Sequence, residues 1–189
     1  MRFIRRRVLA ALNALVLLGG TGRAAIPREP SGYRLDHYGA PTPLTLRGAK
    51  VVNTDTASAL WKARKAVFID VLAQPPRPAG LPPGTLWLPR KRADIPGSLW
   101  LPDTGYGKLA PVTERYFASG LRQATGGDRD RTMVFYCKAQ CWMSWNAAKR
   151  GVALGYGRVV WYPDGTDGWA RAGLPLAPRQ PLPRPDVSE

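Results

Sequence analysis

The sequence has few of the residues from which metal and haem sites are built: its 189 residues include two cysteines, Cys137 and Cys141, and a single histidine, His37. These three side chains cannot complete a four-ligand structural zinc site. Covalent c-type haem attachment is disfavoured as well, because three residues separate the cysteines and Trp142, not histidine, follows the second. No metal or cofactor is therefore expected from the residues themselves. Acidic residues are scarce too, 13 against 28 lysines and arginines, for a formal charge of +15. Such a surface attracts nucleic acid, anionic membranes, acidic proteins and small anions alike. The basic residues are dispersed and no aromatic-basic repeat of a nucleic-acid module occurs, so nucleic acid is the least favoured of these partners.

Also missing is an apolar run long enough to span a bilayer. Residues 8–18, interrupted by Asn13, fall short of the roughly 20 residues a span needs. With Arg2, Arg5, Arg6 and Arg7 before them and Gly22-Arg23-Ala24-Ala25 after, they read as a cleavable export signal over residues 1–25. Arg5-Arg6 permits a twin-arginine route. The mature chain would begin near Ala25 or Ile26, carry a formal charge of about +10 and have no stable membrane span. An exported protein in the periplasm is the expected setting.

What remains is globular: 44% hydrophobic and 22% charged residues suffice for one domain with a real core. Residues 26–47, rich in proline and glycine, predict an extended N-terminal arm. A short strand at Val51-Val52 leads to a helix over residues 57–64 capped by Thr54 or Asp55. Residues 66–72 form a nearly continuous apolar run, as a buried strand does. Residues 73–94 predict a proline-rich insertion, with Arg90, Lys91 and Arg92 in it. Strand character returns at residues 95–101, and Thr113 can cap a helix over 114–123. Residues 132–136 predict a second buried strand ending at Cys137, followed by a loop, an amphipathic helix over 143–154 and a strand over 158–162. A turn at Pro163-Asp164-Gly165 then leads into a short helix, capped by Thr166 or Asp167, through Arg171. The proline-rich tail, residues 178–189, is expected to be disordered. Strands alternating with helices predict an α/β domain with a mainly parallel central sheet flanked by helices, over residues 48–177.

In such sheets sites form where loops leave the carboxyl ends of strands. The stretch from Tyr136 to Met143 is one of these places. Backbone N–H groups of a strand-to-helix turn converge there, and the helix dipole favours a thiolate at Cys137. Lys138 could add positive charge. Cys141 can face Cys137 if Lys138-Ala139-Gln140 curls around the loop; positions i and i+4 of a helix also lie about 6 Å apart, within disulfide range. A bridge over so short a loop adds little chain-entropy stabilisation, so stapling the fold explains the pair poorly. Two readings stay open: a redox-active dithiol, with Cys137 attacking and Cys141 resolving, or a static oxidised loop. Trp142, Trp145, Trp161 and Trp169 are core candidates by residue type, but Trp142 stands where a loop residue would be partly exposed and able to close a pocket.

The segments taken in order resemble the rhodanese family. Phe68-Ile69-Asp70-Val71 is similar to its strand ending in an acidic residue, Ile95-Pro96-Gly97-Ser98 to its Ile-Pro-Gly turn, and Val134-Phe135-Tyr136-Cys137 to the strand bearing its catalytic cysteine. Residues 155–162 and 169–176, with Ala172-Gly173-Leu174-Pro175, resemble its closing region. More narrowly, Cys137-Lys138-Ala139-Gln140-Cys141-Trp142 and the eight residues after it resemble the Cys-x-x-x-Cys-Trp motif of a rhodanese-like family associated with alcohol catabolism through pyrroloquinoline quinone (PQQ). That resemblance implies a periplasmic protein working beside a quinoprotein alcohol dehydrogenase or a cytochrome c. It does not imply that this chain binds the quinone or a haem.

Rhodanese active loops are rich in glycine, arginine and serine, whereas this one carries Cys141 and Trp142. The departure disfavours ordinary thiosulfate:cyanide sulfurtransferase activity and favours a dithiol. The expected site is Cys137 and Cys141 as reacting thiols, with Lys138, Ala139, Gln140, Trp142 and Met143 around the substrate and Asp70 and Trp145 in support. The substrate would be a small sulfur-containing anion or a protein thiol. Three functions follow: a redox or sulfur-carrying thiol protein, a conventional sulfurtransferase using Cys137 alone, or a non-catalytic adaptor for a quinoprotein dehydrogenase or cytochrome.

Overall fold

A computed structural model describes residues 26–74, 79–86 and 92–184; the expected export signal lies outside the described residues. Five short parallel strands form the central sheet in the order β1-β6-β5-β2-β4. They are β1 (Lys50–Val51), β2 (Val67–Asp70), β4 (Leu99–Trp100), β5 (Met133–Tyr136) and β6 (Val159–Trp161), and between them run α1 (Thr54–Lys62), α2 (Pro111–Thr125) and α3 (Trp142–Ala153), with α4 (Gly165–Arg171) after β6. The expected α/β architecture is present.

Both faces of the sheet are covered, which is why its strands read as apolar runs and not as alternating ones. Along β5, Met133 and Phe135 enter the core on one face, where α2 and α3 contribute Phe117, Leu121 and Trp145. Val134 and Tyr136 enter the core on the other, where Ala57 of α1 and Trp169 of α4 lie. Trp61 and Trp169 meet edge to face, their centroids 5.6 Å apart.

Three helices, α1, α2 and α4, start earlier than the sequence suggests. In α4 Asp164, not Thr166 or Asp167, stands at the N-cap, so both of those residues lie inside the helix. Asn53, not Thr54 or Asp55, caps α1: its side chain accepts the Thr56 N–H at 3.0 Å from an extended backbone. Pro111 opens α2 at the first helical position, where the missing N–H leaves nothing unsatisfied, so Thr113 is already inside the helix. α3 departs further, because it is buried on nearly every side instead of being amphipathic. The reason is the N-terminal arm, which makes no regular strand and lies against α3. Asn146 of α3 accepts the Arg34 N–H and donates to the Arg34 carbonyl, both at 2.9 Å. Trp142 and Trp145 donate to the carbonyls of Pro41 and Thr45, each at 3.0 Å. The arm's backbone thus finds in α3 side chains the partners a sheet would otherwise supply. On the same helix Arg150 is buried, held by the carbonyls of Thr104, Tyr106 and Gly107; burial lowers its pKa.

The tail is not wholly disordered. β7 (Ala177–Arg179) pairs antiparallel with β3 (Arg92–Asp94), the last residues of the expected insertion. Farther on, Leu182 donates its N–H to Trp100 at 2.9 Å, and Tyr116 donates its hydroxyl to Leu182 at 2.7 Å. Proline removes donors only at its own positions, and the residues between the tail prolines supply the backbone groups that dock it.

Candidate active site

β5 delivers the chain to Cys137 at the carboxyl edge of the sheet, beside the ends of β2 and β6. Cys137 and Cys141 are joined as a disulfide, with Cα atoms 6.4 Å apart. The bridge is formed by a curled loop and not by two turns of one helix. Gln140 adopts a left-handed backbone, φ +49, and Cys141 is the extended residue that precedes α3. Cys137 is fully buried and Cys141 is 3% exposed.

The Cys137 carbonyl accepts three hydrogen bonds: from the Thr166 N–H at 3.0 Å, the Thr166 hydroxyl at 3.2 Å and Arg92 Nη2 at 3.3 Å. Close approach of α4 requires Gly165, whose φ is +52 and where a Cβ would come within 2.6 Å of the Cys137 carbonyl oxygen. Next to Thr166, Asp167 Oδ2 accepts the Ala139 N–H at 3.1 Å. The Trp142 N–H is taken by the Tyr38 carbonyl at 2.9 Å. Two of the loop's backbone donors, expected to face a substrate, are therefore already engaged.

Below the loop, Arg92 also pairs with Asp70, Nε to Oδ2 at 2.5 Å, and Leu72 N–H donates to Asp70 Oδ1 at 2.9 Å. Burial pushes the Asp70 carboxyl above its ordinary pKa, and the Arg92 charge draws it part of the way back. Asp94, also buried, is pushed up to about 7 by burial and then by the nearby Asp70 charge, with Arg179 opposing at 3.3 Å. Its Oδ2 has no hydrogen-bond partner among the described residues. Tyr136 lies beside this pair, accepting the Ile95 N–H at 3.1 Å and meeting Ser98 Oγ at 2.6 Å.

Of the residues expected at the site, the structure brings Cys137, Lys138, Ala139, Gln140 and Cys141 into one loop, with Lys138 and Gln140 exposed. Asp70 supports that loop through Arg92, as described above. Trp142 and Met143 are in a different position. Trp142 is 2% exposed and Met143 5%; Trp142 packs edge to face on Trp145 at 5.3 Å, and Met143 lies tight against Gly105. The partial exposure expected of Trp142 is absent because the helix starts at that residue and the arm covers it. Trp145 is a core residue that Lys149 stacks over at 4.9 Å. Sequence reasoning missed Arg92, Gly165, Thr166 and Asp167 as parts of the site. The available signal was topological: β5 and β6 are adjacent, so the segment after β6 must meet the loop after β5. Among the described residues no three histidine, cysteine or acidic side chains are grouped to hold a metal.

The structure is thus a parallel α/β domain with a disulfide-bonded cysteine pair in the loop after a central strand. The sequence matches the rhodanese-like domain over residues 54–172, and the chain belongs to that family. No curated protein matches it. Solved structures similar to it include EanB with a cysteine persulfide and ergothioneine, at 18% identity and a TM-score of 0.48 over 77% of this chain and 35% of that one. The polysulfide-sulfur transferase homodimer of Wolinella succinogenes is similar at 17% identity and a TM-score of 0.43, over 70% of this chain and 81% of that one. A complex of EanB with hercynine is similar at 21% identity and a TM-score of 0.47, over 77% and 34%. The chain spans about a third of the length of EanB.

Proposed function

We propose that this chain is an exported rhodanese-like thiol protein whose Cys137/Cys141 pair cycles between dithiol and disulfide and carries electrons or sulfane sulfur. The setting we propose is the periplasm, beside a quinoprotein alcohol dehydrogenase or a cytochrome c. The observation that carries the chemistry is the Cys137–Cys141 bridge within the loop at the carboxyl end of β5. The location and the partner rest on the N-terminal leader and on the Cys-x-x-x-Cys-Trp resemblance.

Cys141 stands at the amino end of α3, whose dipole would favour thiolate in the loop once the bridge is reduced. Cys137 thiolate would attack a sulfane sulfur; the donor's S–S bond breaks and the donor leaves with the electron pair, making a Cys137 persulfide. Cys141 thiolate then attacks Cys137 Sγ, hydrosulfide leaves, and the bridge forms. An external dithiol returns two electrons and two protons to restore the pair. Without a sulfur donor, the same two thiols exchange with a protein disulfide. Replacing Cys141 by serine tests the resolving role: a dithiol cycle stops after one transfer, while a sulfurtransferase using Cys137 alone keeps turning over.

Burial of both sulfurs favours one other reading, a non-catalytic adaptor in which the bridge only shapes the loop. Co-purification of a dehydrogenase or cytochrome that survives replacement of both cysteines by serine would support it.

A further inference from the structure

The start of α4 covers the cysteine loop, and it does so with a negative charge. Gly165 lets the backbone touch the Cys137 carbonyl, Thr166 latches it there with its N–H and hydroxyl, and the next residue, Asp167, sets a carboxylate oxygen 3.1 Å from the Ala139 N–H. Asp167 is itself exposed; the Thr166 latch fixes its backbone, and the Ala139 N–H holds its carboxylate against the loop. A small anion approaching Cys137 would look for backbone N–H donors such as that of Ala139. It finds this one occupied by an anion already. Arg92, which touches the Cys137 carbonyl, is paired with Asp70 at 2.5 Å, and exposed Lys138 is the loop's own positive charge.

We propose that Asp167 makes this site reject small anions, so that the group reacting at Cys137 is an uncharged or cationic thiol, disulfide or persulfide and not thiosulfate or a similar dianion. This narrows the substrate class and rests on the reading that Cys137 is chemically active. Asp167 acts by its charge and position; it takes no part in bond making.

The test uses the Cys141→Ser protein, in which Cys137 is a free thiol whatever the redox behaviour of the natural pair. Alkylation of Cys137 is followed by mass with iodoacetamide, which is neutral, and iodoacetate, which is anionic, and the two rates are expressed as a ratio against the same ratio for the unfolded chain. The folded protein is expected to favour iodoacetamide more strongly than the unfolded chain does. Asp167→Asn, which keeps the shape and an oxygen for Ala139, is expected to raise the iodoacetate rate about tenfold with little change for iodoacetamide. An unchanged ratio in Asp167→Asn overturns the proposal. So does a parent that takes iodoacetate as readily as the unfolded chain, which would mean Lys138 governs the field, and so does complete protection from both reagents in both proteins, which would make the barrier steric. A redox titration of the natural pair is run separately. If the pair does not cycle but the ratio shifts, the assignment of Asp167 stands and the redox reading falls; the opposite pattern removes Asp167 alone.

Discussion

Arg92 ties the buried carboxylate of Asp70 to the carbonyl of Cys137: Nε lies 2.5 Å from Asp70 Oδ2, and Nη2 lies 3.3 Å from the Cys137 oxygen. Because Arg92 belongs to β3 and β3 pairs with β7, the end of the insertion and the start of the tail are both connected to the cysteine loop.

Removing Arg92 leaves Asp70, whose side chain is fully buried, without its counter-charge. Arg92→Ala is expected to cost about 3 kcal/mol at neutral pH, in the range found when one partner of a buried pair is deleted. The loss should shrink in acid, where Asp70 takes up a proton. Urea unfolding of both proteins at pH 5 and pH 7.5 measures it.

Asp94 gives a pH dependence whose sign is fixed by its raised pKa. Its folded value is about 7 against an ordinary 3.8, so the folded state holds the proton more tightly than the unfolded chain. The resulting stabilisation is complete below about 3.8 and is lost as pH rises to about 7, with an upper bound of about 4 kcal/mol from the linkage relation. Asp94→Asn should flatten the fall in stability between pH 5 and pH 8, read from denaturant midpoints.

Ending the chain after Leu176 removes Arg179 from Asp94, Leu182 from Trp100 and Tyr116, and Arg184 from Asp103. Truncation is expected to destabilise by roughly 2–4 kcal/mol, mostly through the buried Asp94 and the lost backbone partners. A disordered tail would leave the melting temperature unchanged.

At Gly165 any side chain meets the Cys137 carbonyl in a left-handed backbone, φ +52. Gly165→Ala should cost on the order of 1–3 kcal/mol and, by lifting α4 from the loop, speed reduction of the disulfide by a water-soluble thiol. Reduction kinetics under native conditions check this.

The sheet was legible because apolar runs such as residues 67–70 and 133–136 have no other use than burial on two faces, and Cys137 was placed by its position just after one of them. Asn53 and Pro111 show why helix starts were less so: the cap depends on backbone conformation outside the periodic stretch. Arg92, Thr166 and Asp167 act across 45, 29 and 28 residues of sequence, on partners in the cysteine loop, and local pattern carries no such contact. Trp142 was ambiguous for a related reason, since the arm that buries it lies about a hundred residues earlier.

The central claim is that Cys137 and Cys141 are a working redox pair, and the most direct measurement is an equilibrium redox titration of the folded protein with thiols counted at each potential. The account predicts a reversible two-electron transition that frees two thiols between roughly −120 and −270 mV, the range of exchange proteins. A bridge that stays closed below about −300 mV while the protein remains folded would contradict it and mark the disulfide as structural.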